Sequence, residues 1–512
     1  MKKYNVFFIG VLLVIISFGC EKGKGKIDVT DKISDFSDST GVRPNFHFTP
    51  PNGWMNDPNG LVYNKGKYHL FYQHFPDSTV WGPMHWGHAT STDLLNWKHQ
   101  PIAIYPDSIG YIFSGSAVLD KNNSSGLGTS EASPIVAMYT YHDPVGEKSG
   151  ANNYQTQGIA YSIDNGASWE KYANNPVIGN EGIKDFRDPK VFWDEETNKW
   201  ILLLVAGDHL KIYNSDNLID WVLLSEFGKE NGAHGGVWEC PDLFKLKVSG
   251  TDEEKWVLLI SINPGGPNGG SATQYFVGDF DGNSFTPSHD DIRWVDMGAD
   301  NYAGVTYNNV PDGKRIFIGW MSNWNYGQAT PTQTWRSAMT IPRELTLSAV
   351  NGAYILKNYP IDQFNSLREK VEFNLSENKD LVATENFNQN DISFMVPNKG
   401  FELYFTNSLQ DTLALKIENG IFEIDRSKSG VVDFADSFAD KPHQMPVNNL
   451  PEGLFEVRLI QDVSSIEIFI NKGQYVMTEQ VFPRMPYTNM IIKNTPFKNL
   501  EIFKIKSTIT NE

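Results

Sequence analysis

The sequence predicts an all-β protein, an N-terminal five-bladed β-propeller followed by a C-terminal β-sandwich, and three observations carry that expectation. First, short apolar runs recur at 67–72, 135–141, 200–205, 256–262 and 315–320. They start roughly sixty residues apart, and each is too short for a helix but long enough for a buried strand. Second, a turn-and-aromatic element keeps step with them. Ser91-Thr92-Asp93-Leu94-Leu95-Asn96-Trp97, Ser162-Ile163-Asp164-Asn165-Gly166-Ala167-Ser168-Trp169 and Ser215-Asp216-Asn217-Leu218-Ile219-Asp220-Trp221 each set a polar turn before a tryptophan, and the stretch from Asp279 to Phe285 is a looser copy. About five copies of a multi-strand unit, with almost no amphipathic helical stretch, call for radial repetition of small antiparallel sheets. Third, all 14 tryptophans lie between Trp54 and Trp335. That compositional break marks a domain boundary.

The expected organisation follows from these signals. The propeller is placed at 41–350, a linker at 351–371 and the sandwich at 372–512. Pro360 and Asp362 ahead of Phe364 and Leu367 predict a short connecting helix in the linker. Beyond it, period-two alternation at 401–405, 413–417, 421–424, 454–460 and 466–470, broken by Asn, Gly and Pro clusters, reads as paired strands. No chemistry is concentrated in this last third.

The first twenty residues have Lys2 and Lys3, then an apolar run, then Ser17-Phe18-Gly19-Cys20. This is the charged start, short apolar centre and small-residue cleavage site of an export signal, and the run is too short for a comfortable membrane span. Cys20 after Gly19 resembles a bacterial lipoprotein signal, in which that cysteine carries the lipid, although Ser17 stands where leucine is usual. Residues 21–40, rich in Lys, Asp, Ser and Gly, read as a solvated tether. The expected localisation is an exported bacterial lipoprotein, on the outer-membrane surface or facing the periplasm. The only other cysteine is Cys240. With Cys20 lipidated no intramolecular disulfide forms, so stability must come from the core.

A formal charge of −18 repels polyanions, so nucleic acid is not an expected partner. The 11 histidines form no His-Glu-x-x-His set, and no Cys-x-x-Cys occurs, so neither a metal nor another cofactor is expected.

Three carboxylates sit in aromatic, Gly- and Pro-rich surroundings rather than on solvated faces. Asp57 lies in Trp54-Met55-Asn56-Asp57-Pro58-Asn59-Gly60, a polar turn expected to fix it at a strand edge. Asp188 lies in Asp185-Phe186-Arg187-Asp188-Pro189, where the adjacent arginine is expected to lower its pKa and keep it ionised. Glu239 lies in Val237-Trp238-Glu239-Cys240-Pro241-Asp242-Leu243-Phe244. Its apolar flanks favour a raised pKa, the property a proton donor needs. Each segment by itself also has a bland reading, a structural turn at Asp57, an internal Arg–Asp pair at Asp188 and a satisfied buried acid at Glu239.

Together, these three segments resemble the signature blocks of glycoside hydrolase family 32, the family of invertases, inulinases and levanases. Trp86-Gly87-His88, Phe113-Ser114-Gly115-Ser116, Trp320-Met321-Ser322-Asn323-Trp324 and the stretch from Trp335 to Glu344 agree in the same order. The resemblance implies a retaining hydrolase of β-fructofuranosidic bonds in levan or inulin, with sucrose as a further candidate. It implies Asp57 as nucleophile, Asp188 as transition-state stabiliser and Glu239 as general acid/base. It also implies that Asn56, Gln73, Trp81, Phe113, Ser114, Arg187, Tyr302 and Trp324 line the pocket for the terminal fructosyl unit. A fructosyltransferase would use the same acids. A related propeller enzyme acting on arabinofuranosides fits less well around Asp57, and a non-catalytic sugar-binding lipoprotein would be expected to lack one acid. Linkage preference, endo or exo attack and oligomeric state stay open at this level.

Overall fold

The structure is a computed structural model that describes residues 41–371, 374–377, 381–384, 386–397, 400–493 and 497–509. The expected signal, Cys20 and the tether over 21–40 lie outside the described residues.

Among the described residues, the strands from Gly53 to Pro360 form five sheets in chain order. Their innermost strands are Gly53–Asn64, Tyr111–Leu119, Phe186–Asp194, Val237–Lys247 and Tyr302–Thr306. Each of these touches the next, and the fifth returns to the first, so the sheets close a ring around a central axis. Closure is reinforced where Trp335–Arg336 pairs in parallel with Gly53 and Trp54. The region is thus a β-propeller.

The sequence repeats map onto this geometry. All five apolar runs fall on the second strand of a sheet: Lys67–Phe75, Ile135–His142, Lys199–Ala206, Glu254–Asn263 and Ile316–Met321. These strands are covered on both faces, which is why they lack alternation; Ile201 through Val205, for example, are fully buried. The turn-and-aromatic element falls between the third and fourth strands. Its serine hydroxyl accepts from the backbone of the turn, Ser91 from Leu94 N at 2.9 Å and Ser215 from Leu218 N at 2.9 Å. Leu94 and Leu218 both sit at positive φ, so the serine fixes a turn that leucine would not favour by itself.

The boundary differs from expectation. Residues 353–360 are not linker but the outer strand Ala353–Pro360 of the fifth sheet, paired along its length with Arg343–Val350. The propeller therefore runs to Pro360 rather than 350. A single 3-10 turn, Asp362–Leu367, follows, and Arg368–Lys370 already pairs with a sandwich strand. Alternation in Ala353–Pro360 is hidden because its buried positions are Leu356, Asn358 and Pro360 while Ile355 and Tyr359 are only partly covered. The second domain is a sandwich of a six-stranded and a seven-stranded sheet around Phe394, Leu403, Leu415, Val457 and Ile468.

The sandwich is locked to the propeller by buried charge. The backbone N–H groups of Asn45, Phe46 and His47 all point at the Asp462 carboxylate, at 2.8, 3.1 and 3.3 Å. The His47 ring bridges Asp462 and Glu467 at 2.8 and 2.9 Å, and Arg343 completes the cluster at 2.6 Å from Glu467 and 3.0 Å from Asp296. Burial pulls the His47 pKa down, but its two carboxylate partners overcome that and raise it from 6.5 to about 9. A raised histidine contributes stability that is fully present below 6.5 and is lost as pH rises through about 9, on the order of 3 kcal/mol here. Burial instead depresses His69, His74 and His99 to about 4, so their contribution disappears as pH falls from 6.5 towards 4. Thermal unfolding should show His47→Gln well below wild type at pH 6, with the gap narrowing towards pH 10; a gap independent of pH contradicts the linkage.

Candidate active site

One backbone irregularity recurs in every inner strand at the same level of the ring. Two consecutive residues face a single residue of the neighbouring strand. Asn56 and Asp57 face Gln73, Phe113 and Ser114 face Thr140, and Asp188 and Pro189 face Leu204. Cys240 and Pro241 face Ile260, and Ala303 and Gly304 face Gly319. Such bulges re-aim side chains out of the pleat. Here they carry the three acids and their neighbours towards the axis.

Two bulges contain proline, Pro189 and Pro241, and Pro58 directly follows a third; none of the three has an N–H for the ladder, so regular pairing is interrupted there. Asp188, Cys240 and Ala303 adopt φ of 61°, 45° and 52°, a conformation L-residues avoid and surrounding structure must impose. At Gly115 a Cβ would lie 2.0 Å from the Met138 carbonyl oxygen, so only glycine permits the strand crossing beside Ser114. Asp57 thus lies inside a strand, at a bulge, and not in the turn the sequence suggested.

The acids have distinct surroundings. Asp57 accepts from Ser114 Oγ at 2.6 Å and from Asn56 Nδ2 at 2.9 Å. Asp188 accepts from the Cys240 backbone N–H at 3.0 Å, and its own N–H donates to Thr140 Oγ1 at 2.9 Å. The Cys240 thiol lies between them, 3.7 Å from Asp57 Oδ2 and 3.6 Å from Asp188 Oδ2. Arg187 forks to Asp185 Oδ1 and Glu239 Oε1, each at 2.7 Å, while its Nε stays 3.9 Å from Asp188. The Tyr302 hydroxyl donates to Glu239 Oε2.

These contacts divide the protons. Burial pushes Glu239 up to about 8, against the pull of Arg187 and with added push from Asp188 and Asp57. Burial also raises Asp188, to about 6, and here the sequence expectation is corrected. Arg187 does lower that pKa, but its guanidinium is committed to Asp185 and Glu239, so desolvation and the Asp57 charge win. Burial and three nearby carboxylates raise the Cys240 thiol well above its ordinary value. It is a neutral thiol whose single proton lies within reach of either acid, and not a nucleophile.

The remaining sequence-derived residues surround this group. Gln73 donates to Asn59 Oδ1 at 2.7 Å behind the first bulge. Trp54 donates to Asn56 Oδ1 at 2.7 Å and carries Trp324 stacked 5.8 Å away. Trp81, 36% exposed, meets Phe113 edge-on at 6.0 Å, and Phe113 stacks on His142 at 4.2 Å. Sequence reading passed over Asn59, Thr140 and His142 as site residues. The first belongs to a quoted motif; the other two lie on second strands and carry no local signal. Among the described residues, no group of three or more His, Cys, Asp or Glu side chains could hold a metal ion.

Comparison with known proteins agrees with both domains. Residues 47–360 match the glycosyl hydrolases family 32 N-terminal domain, and 363–506 match the family 32 C-terminal domain. The chain belongs to glycoside hydrolase family 32. The two family 32 matches meet where the sheets do, between Pro360 and the 3-10 turn. The chain is 45% identical to a levanase of Bacillus subtilis over 86% of its own length and 66% of that protein. It is 42% identical to an extracellular exo-inulinase of Aspergillus ficuum, over 86% of this chain and 89% of the relative. The crystal structure of exo-inulinase from Aspergillus awamori superposes with a TM-score of 0.86 at 36% identity, covering 93% of this chain and all of that one.

Proposed function

We propose that this glycoside hydrolase cleaves β-fructofuranosidic bonds in fructans, levan or inulin, and in sucrose, with retention of configuration. The observation that carries the reading is the contrast between two carboxyls on one axis. Glu239 is pushed up to about 8 and so holds a proton at neutral pH, while Asp57 receives donors on both oxygens.

In this mechanism Asp57 attacks the anomeric carbon as Glu239 gives its proton to the departing oxygen. The negative charge thereby passes from Asp57, now an ester, to Glu239, now a carboxylate. Since the Asp57 charge helps to raise Glu239, its loss lowers the Glu239 pKa and eases departure of the proton. Glu239 then takes a proton from water as the water attacks the ester, and Asp188 lies beside the positive charge that develops on the ring. Asn56, Gln73, Trp81, Phe113, Ser114, Arg187, Tyr302 and Trp324 form the pocket for the terminal ring. A shallow depression of about 480 Å³ is lined by Lys184, Asp185, Asp208 and Asn263, and its Asp185 accepts from Arg187.

Incubation with levan, inulin and sucrose, with products resolved by size, tests substrate and mode of attack. Methanol as competing acceptor tests the stereochemistry: retention yields the methyl β-fructofuranoside, and the α-anomer as the main product rejects the ester intermediate.

The proposal extends to location. Export with lipid on Cys20 rests on the charged, apolar and small-residue pattern of the first twenty residues. Metabolic labelling with a fatty acid should mark the protein and not its Cys20→Ala variant.

A further inference from the structure

We propose that Arg426, a residue of the sandwich, is a positioning residue for the reaction, holding Tyr302 against Glu239 and Trp324 against the pocket wall. The inference rests on the acid/base reading of Glu239 and assigns to the second domain a task beyond support.

Arg426 is 1% exposed and is engaged on every side. Its Nε donates to Phe438 O at 2.7 Å, and its Nη1 to Asp300 Oδ2 at 2.7 Å and to Gln480 O at 3.1 Å, with Glu479 at 2.9 Å. Its Nη2 donates to the Tyr326 hydroxyl at 2.8 Å, and that hydroxyl donates to Asp300 Oδ1 at 2.7 Å. The triangle of Arg426, Asp300 and Tyr326 thus joins one sandwich strand to two propeller segments. The guanidinium fork is what allows three directions to be fixed at once.

Both segments end in the site two residues further on or back. Asp300 also accepts from Gln480 N at 2.8 Å and leads directly to Asn301 and Tyr302. Ala303, next in line, is fully buried at a φ of 52°. A backbone in that region keeps its shape only when anchored outside itself, and on the N-terminal side the Asp300 clamp supplies that anchor together with the Asn301 amide, which donates to Asp296 Oδ2 at 3.0 Å. Tyr326 follows Trp324 in the other segment, and Asn323 Nδ2 donates to Ala299 O at 2.8 Å, tying the two segments together. Neither Arg426 nor Tyr326 touches the acids. Their effect on chemistry passes through Tyr302 and Trp324.

The Tyr302 hydroxyl stabilises the carboxylate form of Glu239, so loosening it raises the pKa on which the basic limb of the pH–rate profile depends. Arg187, Asp57, Asp188 and the Cys240 thiol face the same carboxyl and are left in place by the substitutions below. Tyr302→Phe should move the basic limb upward by about 0.5 to 1 unit. Arg426→Lys, which keeps the charge and loses the fork, should move it the same way and lower kcat at least fivefold. Tyr326→Phe, which removes one hydroxyl and keeps the buried ion pair, is the second variant should Arg426→Lys fail to fold. Combined with Tyr302→Phe, either should add no further shift. A basic limb unmoved in both variants, or shifts that add to that of Tyr302→Phe, overturns the positioning role. A limb that also stays put in Tyr302→Phe and Glu239→Ala removes the acid/base reading, and this inference with it.

Discussion

Asp57→Asn is expected to lower kcat by a factor on the order of 10⁴ to 10⁶ on sucrose and fructans alike, the scale of losing a covalent nucleophile. The change is nearly isosteric, so the bulge opposite Gln73 and the contact to Ser114 should survive, and the midpoint of thermal unfolding should move little. Asp57 is half-buried in its strand and its hydrogen-bond partners Asn56 and Ser114 are both neutral, which makes a large loss of stability unexpected. Purified variant and wild type compared under saturating sucrose, with folding checked by circular dichroism, decide the point. Turnover within tenfold of wild type would show that another group attacks the sugar.

Glu239→Ala is expected to cost about 10²- to 10⁴-fold on sucrose, whose leaving group needs a proton, and far less on a fructoside with an acidic leaving group. The pH dependence supplies the sign. Glu239 must be protonated to act, and its pKa is raised to about 8, so kcat/KM should hold through neutrality and fall tenfold per unit above that value. In the alanine variant that descending limb should vanish. Persistence of the same limb in Glu239→Ala assigns it to a different group. The two carboxyls also predict opposite rescue: an exogenous anion such as azide should restore some turnover to the Glu239 variant on the activated substrate and none to Asp57→Asn.

The site also clarifies how a buried pair of like charges is tolerated. Asp57 and Asp188 share the Cys240 thiol, and Asp188 answers the crowding by a raised pKa, to about 6. The buried arginine near it does not cancel the effect because geometry commits it elsewhere, to Asp185 and Glu239.

Much of this was written in local sequence. The propeller was legible because each second strand is buried on both faces and must be a continuous apolar run, while the outer turns of the first three sheets set a serine and a polar residue before a tryptophan. The acids were legible because Asp57, Asp188 and Glu239 stand in motifs whose prolines forbid regular pairing. The limit of the propeller was not legible, since Ala353–Pro360 is an outer strand with one wet face and reads like a linker. The task of Arg426 was equally hidden, as its partners Asp300 and Tyr326 lie across the domain boundary, 126 and 100 residues away in the chain. Nor did adjacency reveal proton affinity: Arg187 stands next to Asp188 in sequence, yet its charge goes to other carboxyls. Sequence by itself determined which residues repeat, which strands are buried and which acids are available, because those depend on side-chain type and spacing. Only the tertiary structure decided which groups share a proton and which domain steadies them, because burial and hydrogen-bond direction exist only once distant strands have closed the ring.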